Sequence, residues 1–302
     1  MNFKIYISAL LISSCLACTN DNEDTQSKMS NLTPITFSGK ITNITETKAI
    51  LENSTIPDNA QIGIFAWGHN RNIANGDSTL RIDLNNSMYT KSAGNTLIST
   101  MEAHYPINAD TVLNIYAYYP FQTGITDIHR ISFNLNDQND ILTATPVTNK
   151  GKESADQNVN LAFNHVLSAI TLQIKKANDI KEDMVLQSIS LENYPATIQL
   201  DAVSGTTSAA ISTSNYTLTN NLNKAITTKT TTIVSNYLLH TITNPVFIVR
   251  LSNKDYRIES KKAFEAGKKQ TYIFTIQAND ISISATIKDW IDGGTTNEDI
   301  IY

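Results

Sequence analysis

The 302 residues are enough for about two domains of ordinary size. With 41% hydrophobic residues the chain has cores to bury, which excludes an intrinsically disordered protein. The formal charge is -5 and basic residues gather no further than pairs such as Lys261–Lys262 and Lys268–Lys269, which excludes a nucleic-acid partner, because phosphates demand a concentrated basic face.

The first residues have the form of an export signal. Lys4 gives a positive start, and Ile5–Ile12 is an apolar run too short to span a bilayer. Ile12-Ser13-Ser14 then leads into Cys15. Small residues before a cysteine are similar to the bacterial lipobox, which predicts that residues 1–14 are removed and that Cys15 carries a lipid. Cys18, after Leu16-Ala17, is the alternative. No cysteine follows, so the folded part has neither a disulfide nor a thiolate metal site. Residues 15–31, with Asp21, Glu23 and Asp24 close together, form a polar tether.

From Leu32 onward apolar residues recur with period two, the spacing of half-buried strands. Ile35-Thr36-Phe37, with Ile41 and Ile44, makes a first strand, and Lys48-Ala49 follows it. Ile62–Trp67 is an uninterrupted apolar run, suited to a strand buried on both faces. Leu113, Ile115, Ala117 and Tyr119 alternate with Asn114, Tyr116 and Tyr118, which sets Tyr119 inside and the other two tyrosines on the opposite face. The polar stretch Thr148–Asn158 has the composition of a linker and divides a first domain, residues 32–155, from a second, residues 156–302.

In that second part Ile170, Leu172 and Ile174 alternate with polar residues, as do Ile281, Ile283, Ala285 and Ile287. Lys176–Val185 allows a helical turn or two, and Val246–Val249 is another apolar run. Turn residues punctuate the pattern at Pro57-Asp58-Asn59, Asn75-Gly76-Asp77, Ala93-Gly94-Asn95, Ser204-Gly205 and Ala266-Gly267. The predicted fold class is all-β: two antiparallel β-sandwich domains. Ile64, Ile115, Tyr119, Phe163, Leu172, Phe274 and Ile283 are the predicted core residues.

Chemistry is sparse. His69, His104, His129, His165 and His240 share no zinc-ligand spacing, and no G-x-S-x-G elbow, P-loop or dinucleotide fingerprint occurs. His165 reads as a hydrogen-bonding structural residue on the polar side of its strand. Trp67, Tyr116, Tyr118 and Trp290 read as packing groups rather than sugar platforms. The reading is of a non-enzymatic protein with no catalytic residue, no metal and no cofactor.

Five segments, in order, resemble the fimbrillin family of bacterial surface proteins. Asp58-Asn59-Ala60-Gln61-Ile62-Gly63-Ile64-Phe65-Ala66 is similar to a strand near the start of those proteins, and Tyr116-Ala117-Tyr118-Tyr119-Pro120 to their aromatic strand end. Leu161-Ala162-Phe163-Asn164-His165-Val166-Leu167-Ser168-Ala169-Ile170 resembles their L-x-F-x-H-x-L-S-x-I segment. Ala266–Tyr272 is similar to their turn into a late strand, and Ile287-Lys288-Asp289-Trp290 with Gly293 to their C-terminal motif.

The resemblance implies two transthyretin-like domains and a structural role as shaft, anchor or tip subunit of a fimbria, held at the outer membrane by its lipid. It implies other fimbrial subunits as partners, joined by strand addition. Fimbrillins are typically cut by a trypsin-like protease after an Arg near the first strand; here the site is Lys48, before Ala49. The donor strand is a neighbour's tail, Ile291–Tyr302, in which Ile300, Ile301 and Tyr302 supply apolar side chains. The alternative function is a lipid-anchored binding module for glycan or protein that does not polymerise.

Overall fold

A computed structural model describes residues 32–42, 56–71, 81–154, 156–209, 212, 214–252, 254–277 and 280–289. Residues 1–31, Ile44, Asn75-Gly76-Asp77, Lys48, Ala49, Trp290 and Ile291–Tyr302 lie outside them, so Cys15, Cys18, Ile300, Ile301 and Tyr302 do as well. Among the described residues the structure is β throughout, apart from a 3-10 turn at Leu135–Asp137.

The first half carries β1 (Thr36–Ile41), β2 (Gln61–Asn70), β3 (Arg81–Lys91), β4 (Thr96–Ile98), β5 (Thr111–Tyr119), β6 (Ile131–Asn134), β7 (Leu142–Ala144), β8 (Val147–Lys150) and β9 (Asn158–His165). The pairing order is β2-β3-β4-β1-β9-β7-β5, and β5 pairs back onto β2, so the sheet closes on itself with β8 lying beside β5. Phe37, Ile41, Ile62, Ile64, Ile115 and Phe163 fill its interior.

The second half carries β10 (Ser168–Lys176), β11 (Val185–Leu191), β12 (Thr197–Asp201), β13 (Thr206–Ala209), β14 (Tyr216–Thr219), β15 (Lys224–Ala225), β16 (Thr231–Leu239), β17 (Val246–Leu251), β18 (Lys254–Glu259), β19 (Lys268–Ile276) and β20 (Ile281–Asp289). One sheet runs β16-β10-β19-β20 and another β14-β11-β17-β18. Their inner faces share one core, in which the Phe247 ring stands edge-on to Phe274 at 5.2 Å. A third sheet, β13-β12-β6, takes one strand from the first half and two from the second.

The two cores meet through β2 and β5. Phe65, Tyr116 and Tyr118 point away from the first core and pack into the second beside Ile128 and Phe133. This explains why Ile62–Trp67 lacks alternation: neither face of β2 sees water along most of its length. All seven predicted core residues sit against a core; Ile64, Ile115, Phe163, Leu172 and Phe274 are fully buried, and Tyr119 and Ile283 pack at the margins.

Four features differ from expectation. The sheets are mixed, because β1 runs parallel to β9 and β10 parallel to β19. Parallel partners need long crossovers, and here the crossovers are whole strand assemblies rather than helices. Residues 158–165, which composition places at the start of a second domain, complete the first sheet as β9. Part of the linker-like Thr148–Asn158 stretch is strand β8, in which Val147 pairs with Ile115 and Lys150 with Leu113 of β5, since backbone pairing does not depend on side-chain polarity. No helix forms between Lys176 and Val185.

Candidate functional site

β1 sits in a slot between β4 and β9. Period two turns Phe37, Gly39 and Ile41 inward and leaves Thr36 and Lys40 exposed. Along one edge β1 is parallel to β9, from Thr36 opposite Asn158 to Ile41 opposite Phe163. Along the other edge the pairing is short: Phe37 opposes Leu97, Ser38 opposes Thr96, and the Gly39 N–H donates to Asn95 O at 2.9 Å. Just before the strand, the Ile35 N–H donates to Ala103 O at 2.8 Å and the Tyr105 N–H to Thr33 O at 2.9 Å.

A ladder of side chains joins β1 to β9 on the outer face. Thr36 Oγ1 donates to Asn158 Oδ1 at 3.2 Å, Ser38 Oγ to Asn160 Oδ1 at 2.5 Å, and Thr42 Oγ1 to Asn164 Oδ1 at 2.8 Å. Asn158 Nδ2 donates back to Ser38 Oγ at 3.1 Å. Parallel strands in register set like-numbered positions side by side, so hydroxyls two apart meet amides two apart. The sequence carries this signal in the matched periods of Thr36, Ser38 and Asn158, Asn160, Asn164, but only once the parallel register is known.

The inner face has a definite shape. Phe37 stands edge-on to Tyr89, with ring centroids 5.0 Å apart. Gly39 lies where a Cβ would be 3.0 Å from the Phe163 ring and 3.5 Å from Leu97, so the wall closes in between the Phe37 and Ile41 pockets. Tyr89 is buried, and among the described residues its hydroxyl has no hydrogen-bond partner. Burial pushes that phenol up to about 12, so it stays protonated and remains a donor. At the start of β1 a cleft of about 630 Å³ is lined by Leu32, Ile35, Glu102, His104 and Ile107.

His165 lies elsewhere. Its Nδ1 is 2.8 Å from Asp140 Oδ2, with side chains only 1% and 3% exposed. It is therefore on the buried side of β9, not the polar side: Val159, Leu161, Phe163 and His165 share one parity. A second cleft, of about 510 Å³, opens beside it and is lined by Thr143, Thr145, Asn164, Thr206, Thr207 and Thr241. Among the described residues no group of three or more His, Cys, Asp or Glu is placed to hold a metal ion.

The family-like segments come together in two groups. Gly63 of the first opposes Tyr118 of the second across β2 and β5. The third meets the fourth through β10 and β19, where the Gly267 N–H donates to Leu167 O at 2.8 Å and Ser168 Oγ to buried Gln270 Oε1 at 2.8 Å. The fifth pairs with the fourth, Ile287 opposite Gln270.

Closed sheet, sandwich and slot together define an all-β protein with two joined cores and a first strand held by both edges. The chain belongs to the fimbrillin-like family, whose model matches residues 47–290. That span leaves out β1 on one side and residues 291–302 on the other. Among solved structures, a fimbrial protein from Bacteroides vulgatus is 14% identical, with a TM-score of 0.56 over 84% of this chain and 99% of its own. A protein of Bacteroides ovatus assigned to cell adhesion is 19% identical, with a TM-score of 0.55 over 87% and 99%. One of Bacteroides uniformis, assigned likewise, is 18% identical, with a TM-score of 0.55 over 86% and 99%. These likenesses concern the fold. No curated protein matches the chain.

Proposed function

We propose that the protein is a structural subunit of a bacterial surface fimbria, exported as an outer-membrane lipoprotein and assembled by protease-triggered strand exchange with other subunits. In this reading Cys15, or alternatively Cys18, carries the lipid, residues 15–31 tether the fold, and the two halves are transthyretin-like domains. Cleavage between Lys48 and Ala49 separates β1 from the body of the protein. Residues 291–302 of a neighbour, with Ile300, Ile301 and Tyr302, then fill the vacated slot.

One observation carries the proposal: β1 is a complete strand lying wholly before Lys48, seated in a slot of the first core. A replacement regains backbone pairing on two edges and the burial of Phe37 and Ile41, each worth about 1.5–3 kcal/mol. Deleting residues 297–302 should leave a folded monomer that forms no polymer ladder after mild trypsin treatment. Ladders that persist in the deletion variant mean that another segment does the joining. The hydroxyl-lined cleft at Thr143 and Thr206 favours the second reading, a non-polymerising binding module. That reading predicts no ladders from the intact chain either.

A further inference from the structure

We propose that the outer edge of β20 is a self-association surface: a second copy of this chain adds its own β20 there, antiparallel and centred on Ser284, so that two sheets join into one. The proposal goes beyond strand exchange and concerns the uncut chain.

Edge strands of β proteins carry devices that stop a further strand from adding. The second half has them at its other edges. β16 is bulged: its pairing with β10 shifts register twice, and Asn236 within it has a φ of 52°. On β18, a strand of six residues, Lys254, Asp255, Arg257 and Glu259 are exposed charges. β13 and β14 are four residues long. β20 lacks all of these. It runs for nine residues, pairs with β19 along its whole length without a shift, and has neither charge nor proline from Ile281 to Ile287. Among the described residues no strand pairs with its other side.

The free edge has a readable hydrogen-bonding pattern. The Gln277 N–H donates to Asp280 O at 2.8 Å in the turn between β19 and β20, so the Asp280 backbone faces Gln277. Alternation along an unshifted antiparallel strand then aims the N–H and C=O groups of Ser282, Ser284 and Thr286 at β19, and those of Ile281, Ile283, Ala285 and Ile287 outward. The side chains divide in the same rhythm. Ile281 is buried, Ile283 and Ala285 pack half-buried against the second core, and Ser284 is exposed on the opposite face.

This pattern is complementary to itself. A two-fold axis through Ser284, normal to the sheet, sets Ile283 opposite Ala285 of the second copy, Ile281 opposite Ile287, and Ser282 opposite Thr286. Apolar residues meet apolar ones, hydroxyls meet hydroxyls, and the outward backbone groups of each copy bond to those of the other. Moving the centre to Ala285 sets Asp289 against Ile281, and moving it to Ile283 sets Asp280 against Thr286. A second copy therefore fits this edge in one register better than in its neighbours.

Cysteine cross-linking of the uncut chain tests the register, with Cys15→Ser and Cys18→Ser removing the native cysteines. On mild oxidation Ser284→Cys should link to itself. Ser282→Cys and Thr286→Cys should each stay single alone and link when the two are mixed. A Ser284→Cys chain that stays single overturns the proposal, and so does preferential linking of Ser284→Cys to either of the other two.

Ala285→Pro supplies a second measurement, because it removes an outward N–H and spares the pairing with β19. It should leave the urea midpoint of the dilute chain unchanged. In sedimentation equilibrium it should weaken the dimer about 5- to 150-fold, since each copy loses one hydrogen bond. Equal dissociation constants for parent and variant overturn the proposal. A lowered midpoint does so too, because it places that N–H in a bond within the chain. Trypsin ladders report on strand exchange separately, so either idea can fail without the other.

Discussion

At the scale of single residues, glycine and asparagine do most of the shaping. Gly63 is opposite Tyr118, and a Cβ there would lie 2.2 Å from the ring, which is fully buried. The ring cannot swing away, because its hydroxyl donates to Asn86 Oδ1 at 2.8 Å and accepts the Gln122 N–H at 3.0 Å. Gly63→Ala should therefore cost about 1–3 kcal/mol, read as a drop in the urea midpoint at unchanged slope. A midpoint equal to the parent's would mean that the ring has room the structure does not give it. Asparagine takes the left-handed backbone positions that glycine usually holds: Asn59, Asn193, Asn221 and Asn244 are among those with positive φ. That role was visible in composition as a general preference for turns. The particular positions were not, because left-handed backbone is imposed by the strands on either side.

Among the strands, period two was the readable quantity. It placed Phe274 on the inner face of β19, where the ring is fully buried against Phe247. Phe274→Ala should cost about 3–5 kcal/mol in chemical denaturation; a variant as stable as the parent would contradict that packing. What period two cannot say is which strand lies beside which. The parallel pairs β1–β9 and β10–β19 join residues a hundred or more positions apart in the chain, and no local signal specifies them. The same gap hid the hydroxyl–amide ladder and the inward place of His165. Alternation gives two faces, and which of them is buried is decided by the partner.

For the molecule as a whole, the third sheet ties the halves together, and a histidine lies at that joint. His240 Nδ1 is 3.2 Å from Thr207 Oγ1 of β13, and burial holds its pKa below the usual value of 6.5. The unfolded chain therefore binds a proton at this residue before the folded protein does. Stability from this source is present above pH 6.5 and declines as the pH falls below that value towards the folded pKa. His240→Gln should narrow the difference in denaturation midpoint between pH 7.5 and pH 5. An unchanged difference would assign the pH dependence to other groups.

The closure of the first sheet matters in one more way. Strands with a free edge recruit other strands indiscriminately, a hazard for any β protein crowded among its own copies. A sheet that returns onto itself offers no such edge along its circuit. β1 is one link of that ring, and its pairing with β4 spans only Phe37–Ser38, as short as the β3–β4 and β5–β7 pairings. In the exchange proposed above, the first strand is a safety catch: stickiness is built into every copy and stays covered until the chain is cut.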